Sequence, residues 1–175
     1  MGRGQRRATA DAIARVTAEA PDFALGHAFK GHLLLLLGRS ELVAPARAAL
    51  AAAHAATART PQMAPARTAA VVAALEAYLA GFPRRAAVIL GAWLEDNPGD
   101  MLLTKLDHQI RFLMGDRRGM LAMTTRAMAV VSEADAGDDP LHGYRLGAHA
   151  FALEENGHYA EAEAAGRAGL ERASD

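Results

Sequence analysis

Four glycines separate helix-forming segments of this chain, and their spacing constrains the fold more than any other feature of the sequence. They are Gly38, Gly81, Gly115 and Gly157, at separations of 43, 34 and 42 residues. A further interval of 34 residues leads back from Gly38 to Gly4. Glycine is the residue that ends a helix with the least backbone strain. The spacing therefore predicts helical hairpins repeated along the chain.

The residues that follow these glycines also correspond to one another. At offsets of five, nine, twelve, thirteen and seventeen residues, Gly81 is followed by Ala86, Leu90, Trp93, Leu94 and Pro98. The same offsets after Gly115 and Gly157 give partial matches that stay in register. A helix–turn–helix unit of 34 residues is typical of the tetratricopeptide repeat. We therefore expect an all-α fold, an α–α superhelix of tetratricopeptide-like hairpins with about nine helices.

The repeat alignment predicts one domain over residues 1–175. It opens with a half-repeat at 1–23, which indicates an array that begins before this chain. The full repeats span about 24–57, 67–100, 101–134 and 143–175, and insertions span 58–66 and 135–142. Because a single hairpin cannot bury its apolar stripe, neighbouring hairpins must stack to form a continuous core.

Composition excludes several classes of function. The net charge of -1 gives no electrostatic reason to expect nucleic acid or an anionic membrane as partner. With no cysteine, the chain has neither disulfides nor zinc–thiolate sites. The longest aliphatic run, residues 33–37, is far too short to cross a bilayer, and the N-terminal residues lack the apolar stretch of a signal peptide. We therefore expect a cytoplasmic protein that binds neither nucleic acid nor membrane.

Four segments of the chain occur in a characteristic order. They are residues 21–27 (PDFALGH), 74–81 (ALEAYLAG), 105–116 (KLDHQIRFLMGD) and 149–159 (HAFALEENGHY). In this order they resemble the tetratricopeptide repeat protein 38 family over nearly the whole chain, although Ala152 stands where the family usually carries glycine. The resemblance implies an α-helical repeat protein, of which this chain is an N-terminal or central portion. It implies no catalytic residue.

The first helices of tetratricopeptide hairpins normally line a concave surface that binds partners. At the lining positions this chain mixes aromatic and polar side chains, without the Lys/Arg cluster that a clamp for a carboxylate requires. The candidate partner-binding residues are His32, Tyr78, Lys105, Gln109, Phe112, Tyr144, Phe151 and Glu154. They predict a non-catalytic scaffold whose concave face binds a protein or peptide segment, or the missing portion of the array. No catalytic residue, cofactor or metal site is predicted.

The helix predicted at 99–114 has two candidate inner faces. Regular packing would bury a polar set, which consists of Thr104, Asp107, His108 and Arg111. A face turned by about 100° is wholly apolar and consists of Leu103, Leu106, Ile110 and Leu113. We expect the apolar face to be buried, which would leave Asp107, His108 and Arg111 at a boundary.

A second interpretation gathers His27, Asp107, His108 and His149 into one polar site. Histidine is the usual general base and metal ligand, and a neighbouring carboxylate can fix its tautomer. However, these residues lie on different hairpins, and Asp107 and His108 point about 100° apart on a helix. Hydrogen-bonded packing is the favoured interpretation. The alternative function is a fragment or accessory of an enzyme that uses this cluster.

The N-terminal half-repeat presents an apolar face that no preceding helix covers. Its residues include Ile13 and Val16. Terminal repeats normally need a polar outer surface. The sequence therefore predicts a homo-oligomer that forms through this uncapped end.

Overall fold

A computed structural model describes residues 3–59, 65–130 and 139–172. Within these residues the chain forms nine α-helices and no strand, which confirms the predicted all-α class. The chain divides into two compact units, Met1–Ile89 and Leu90–Asp175, and the division falls within the fifth helix. Of the predicted insertions, residues 60–64 and 135–138 lie outside the described residues.

The first unit consists of four helices and the beginning of a fifth. They are α1 (Arg3–Glu19), α2 (Ala24–Leu36), α3 (Val43–Arg59), α4 (Ala66–Leu79) and α5 (Pro83–Asp96). A 3-10 turn at Ser40–Leu42 leads into α3. Helix α2 packs against α1, α3 and α4, and α3 also packs against α4. The completely buried core of this unit includes Ala28, Ala46, Ala53, Val71 and Leu75.

The second unit repeats this pattern of neighbours. After the end of α5 come α6 (Met101–Leu113), α7 (Arg117–Met128), α8 (His142–Glu155) and α9 (Tyr159–Arg172). Helix α6 packs against α7 and α8, α7 packs against α8, and α8 packs against α9. In both units, a first helix contacts its own second helix and the first helix of the next hairpin. This is the neighbour relationship expected of stacked helical hairpins.

The four turn glycines end helices as predicted, each with a positive φ between 65° and 86°. At Gly81, the Phe82 N–H donates to the Ala77 carbonyl at 2.9 Å and the Gly81 N–H donates to the Tyr78 carbonyl at 3.0 Å. The same two bonds recur at Gly115 and Gly157. They define a Schellman motif, in which a left-handed residue satisfies the last helical carbonyls. Gly4, by contrast, lies within α1.

Helix α6 is buried on both of its candidate faces. Leu103, Leu106 and Ile110 are buried, as predicted. The prediction was wrong for the polar face, because Asp107 and His108 are buried as well, and wrong for Leu113, which is 49% exposed. The physical reason is that α6 packs against two neighbours, α7 and α8. His108 contacts Phe151 of α8, and Asp107 is linked through Arg111 to Asp116 at the start of α7.

Aspartates begin two of the helices in the second unit. Asp100 accepts the Leu103 N–H at 3.2 Å through Oδ1 and the Trp93 Nε1–H at 3.0 Å through Oδ2. Asp116 accepts the Gly119 N–H at 3.0 Å at the start of α7. A side-chain oxygen at this position satisfies an N–H that has no partner within the helix. These caps fix where α6 and α7 begin.

Candidate functional site

Two phenylalanines on neighbouring helices of the second unit form a partly exposed aromatic pair. The ring centroids of Phe112 in α6 and Phe151 in α8 lie 5.2 Å apart, at an interplanar angle of 70°. The buried ring of His108 also packs against Phe151, with the ring centroids 5.5 Å apart and an interplanar angle of 63°. Such edge-to-face contacts stabilise by about 0.5–1.5 kcal/mol beyond their buried area. Phe112 remains 40% exposed, so the pair joins α6 to α8 and still presents apolar surface.

A groove of about 480 Å³ adjoins this pair, between α8 and α9. Its lining combines small residues with aromatic and acidic ones. The lining residues are Gly147, Ala150, Phe151, Glu154, Tyr159, Ala162, Glu163 and Gly166. Tyr159 is 70% exposed at one edge. Glu163 pairs with Arg167 of its own helix at 2.6 Å. The groove is therefore lined by small and aromatic residues together with two carboxylates.

Most residues predicted to bind a partner lie at the surface. Those that are exposed are Lys105, Phe112, Tyr144 and Glu154, and those that are half-buried are Tyr78, Gln109 and Phe151. All except Tyr78 belong to α6 or α8 of the second unit. The surface shared by α6 and α8 is therefore the place where the predicted partner-binding residues concentrate; we call it the α6–α8 face.

The prediction was wrong for His32, which is completely buried in the first unit. Its Nε2–H donates to the Val71 carbonyl of α4 at 3.1 Å. Burial lowers the pKa of His32 to about 4, against the opposing effect of this bond. The neutral ring therefore ties α2 to α4 and cannot contact a partner.

In the predicted polar cluster, Asp107 is held by Arg111. The Arg111 Nε–H donates to Asp107 Oδ2 at 2.7 Å, and Arg111 Nη1 donates to Asp116 Oδ2 at 2.5 Å. Burial raises the pKa of Asp107 to about 6, although Arg111 opposes the shift. The carboxylate is thus committed to a buried ion pair that joins α6 to the start of α7.

The three histidines of the cluster have separate surroundings. His27 lies in the first unit, with Nε2 3.0 Å from the Pro21 carbonyl oxygen. His108 packs against Phe151, and burial lowers its pKa to about 4, with a smaller contribution from Lys105. His149 Nδ1 lies 3.1 Å from Thr124 Oγ1, and burial lowers its pKa. These contacts join none of the histidines to Asp107; they are hydrogen bonds for His27 and His149 and a ring contact for His108.

Neither a metal centre nor a membrane span is found in the part of the chain that the structure describes. Its residues contain no group of three His, Asp or Glu side chains placed to hold a metal ion. None of its helices combines the length and apolar character needed to cross a bilayer. No protein-family model, curated protein or solved structure matches the chain. The resemblance to the tetratricopeptide repeat protein 38 family therefore stays a prediction.

The groove between α8 and α9 was only partly foreseen from sequence. Phe151 and Glu154 were predicted, whereas Tyr159 and the small residues of the lining were not. A signal was present in the repeat alignment: Gly166 lies nine residues after its turn glycine, at the position that Leu90 occupies after Gly81 and Thr124 occupies after Gly115. Leu90 is completely buried, so a glycine at the corresponding position leaves space.

Proposed function

We propose that this protein is a non-catalytic helical-repeat scaffold that binds a protein segment on its α6–α8 face. The observation that carries the proposal is the partly exposed pair Phe112–Phe151, which is fixed by packing. The same two helices carry the exposed charged residues Lys105 and Glu154. Rigid aromatic side chains next to polar groups are typical of the residues that dominate binding energy in protein interfaces. The proposal includes the tetratricopeptide character of the hairpins and a cytoplasmic location, as the sequence predicts.

Self-association through the N-terminal end is a second part of the proposal. Val16 of α1 is 39% exposed, and Ile13 is half-buried. Light scattering on the purified chain tests it, with Val16→Asp as the variant. An oligomeric mass for the wild type that falls to the mass of one chain for Val16→Asp supports this association. A monomeric wild-type protein excludes it.

An enzyme or enzyme-accessory role is the alternative, and one observation favours it. The pKa of Asp107, at about 6, lies in the range that general acid–base catalysis uses. Against this role, the side chain is completely buried and paired with Arg111. A turnover screen with Asp107→Asn as the negative control separates the two functions.

Selection of peptides on the purified protein tests the scaffold directly. A random peptide library displayed on phage would be selected for binding to the wild-type chain, and the phage that also bind the Phe112→Ala variant would be removed. We expect the selected peptides to bind with micromolar Kd in calorimetry and to lose at least tenfold in affinity on Phe112→Ala. Val88→Ala, which also truncates an exposed apolar side chain to alanine, lies on α5; it serves as control and should bind normally.

Two results would contradict the scaffold. The first is a failure to select any peptide whose binding depends on Phe112. The second is turnover of a small molecule by the wild-type chain that Asp107→Asn abolishes.

A further inference from the structure

The groove between α8 and α9 corresponds, position for position, to the surface on which α8 itself packs. Counted from the turn glycines Gly157 and Gly115, its residues Ala150, Glu154 and Gly166 occupy the positions of His108, Phe112 and Thr124. All three of those residues contact α8: His108 and Phe112 meet Phe151, and Thr124 meets His149. The α6–α7 hairpin therefore receives a helix at the positions that form the groove on the next hairpin.

A further contact extends this correspondence to the edge of the groove. Tyr159 occupies the position of Arg117. The Asn156 side chain donates to the Arg117 carbonyl at 2.9 Å, and Arg117 Nη1 donates to the Glu155 carbonyl at 3.3 Å. In the first unit, α4 likewise packs against both α2 and α3. In both units a hairpin packs against a further helix, so the positions that line the α8–α9 groove are ones at which this fold receives an α-helix.

The side chains that differ between the two surfaces indicate which helix would fit. Ala150 replaces His108 and Gly166 replaces Thr124, so the groove has room for a bulky side chain at these positions. Two carboxylates replace apolar groups: Glu154 stands for Phe112, and Glu163 stands for Leu121. Because Glu163 is paired with Arg167 of its own helix, Glu154 is the lining carboxylate on which the attraction of a partner's cation depends. No lining residue of the groove is basic. Charge complementarity therefore favours a helix that carries Lys or Arg beside a bulky apolar residue.

We infer that this groove binds a basic amphipathic α-helix of a partner protein, packed in the register that α8 has on the α6–α7 hairpin. A bulky residue of that helix fills the space above Ala150 and Gly166. Its cations lie near Glu154 and the exposed ring of Tyr159, where a cation–π contact adds to the attraction. Helix-in-groove binding uses apolar anchors at this helical spacing. The inference rests on the proposed function and names the class of its partner.

A peptide derived from α8 provides the probe. It covers residues 141–156 with Glu154→Lys and Glu155→Lys, and it retains Phe151 as the anchor. The unmodified peptide of the same length is the matched control. Both would be labelled and titrated with the full chain by fluorescence anisotropy. We expect the lysine peptide to bind with micromolar Kd and the unmodified peptide at least tenfold more weakly, with the difference reduced by salt.

A substitution in the groove tests the location. In Gly166→Leu, the first side-chain carbon fits, because its closest neighbour is Ala150 Cβ at 4.0 Å, and the remaining atoms fill the groove. Leucine also has the higher helix propensity, so the variant should fold. The control is Ala164→Leu, at an exposed position of α9 outside the lining. We expect Gly166→Leu to weaken the lysine peptide at least tenfold and Ala164→Leu to leave it unchanged.

Three outcomes would overturn the inference. The first is that the lysine peptide binds wild type and Gly166→Leu equally well, and the second is that this peptide does not bind at all. The third is that the chain self-associates and that Gly166→Leu abolishes this self-association, because the occupant of the groove would then be a second copy of the chain. Circular dichroism shows in each case that the variant is folded. If the binding of library peptides depends on Phe112 and is unchanged by Gly166→Leu, the proposed scaffold function stands and this inference fails. If no peptide depends on either residue, both fail.

Discussion

Asp107 is completely buried in α6 and accepts a hydrogen bond from Arg111, one turn later, at 2.7 Å between Oδ2 and Nε. Arg111 in turn reaches Asp116 at the start of α7. A buried carboxylate without a cation is strongly unfavourable, so the guanidinium makes the burial of Asp107 possible. This pair therefore matters more for stability than an ion pair in solvent.

Removal of the cation should expose this dependence. We expect Arg111→Met to lower the free energy of unfolding by about 3–5 kcal/mol, because it leaves the buried carboxylate unpaired. The control is Arg167→Met, which removes the exposed pair of Glu163 at the same helical spacing and should cost less than about 1 kcal/mol. Urea unfolding measures both. If the two variants lose equal stability, the carboxylate of Asp107 does not depend on Arg111.

Acidification should destabilise the fold through His32. The pKa of His32 is about 4 in the folded chain, below its ordinary value of 6.5. The unfolded state therefore binds the proton first, and the free energy of unfolding falls as the pH drops from about 6.5 towards 4. Above pH 6.5 this contribution to stability is complete. Urea unfolding between pH 7 and 4.5 should show a shallower loss for His32→Gln than for the wild type.

Asp107 should act in the opposite direction. Its pKa of about 6 in the folded chain is above its ordinary value of 3.8, so between these values the folded state binds more protons. The free energy of unfolding then rises through this group as the pH falls from about 6 to 4. His108, with a pKa of about 4, behaves like His32. Asp107→Asn should therefore lose stability more steeply on acidification than the wild type, and an unchanged slope would contradict the prediction.

Local rules explain what could be predicted from the sequence. The turn glycines and Asp100 act within a few residues of the chain, so their positions follow from helix-ending and capping preferences. The burial of His32 and Asp107 depends instead on which helices pack against α2 and α6. Helical periodicity identifies one apolar face and does not reveal that a second, polar face is covered too. The groove beside Gly166 arises because a bulky side chain is missing, which the hydrophobic pattern does not record.

The turn glycines should respond to alanine differently from a glycine within a helix. Gly115 has φ 70°, where a Cβ is strained, so Gly115→Ala should lower the free energy of unfolding by about 1–2 kcal/mol. Gly147 lies inside α8 with no atom within 4 Å of a new Cβ, so Gly147→Ala should raise it by about 0.5–1 kcal/mol. Thermal or urea unfolding compares them. If both substitutions raised the free energy of unfolding, or both lowered it, the result would argue against the left-handed turn at Gly115.

Gly119 should be intolerant of alanine for a different reason, its contact with the Asp107–Arg111–Asp116 network. It lies in the first turn of α7, and an added Cβ would meet both the Asp116 carboxylate and the Arg111 guanidinium. Alanine favours the helix, yet we expect Gly119→Ala to lower the free energy of unfolding by about 1–2 kcal/mol, as overpacking does elsewhere.

A double-mutant cycle identifies the cause of this loss. In an Arg111→Met background, the guanidinium that obstructs the new methyl group is gone. Gly119→Ala should then cost at least about 0.5 kcal/mol less than in the wild type, since contacting residues couple by this amount or more. Urea unfolding of the four proteins measures the coupling. Additive costs would mean that Gly119 is needed for the Asp116 cap alone and that Arg111 takes no part in its intolerance of alanine.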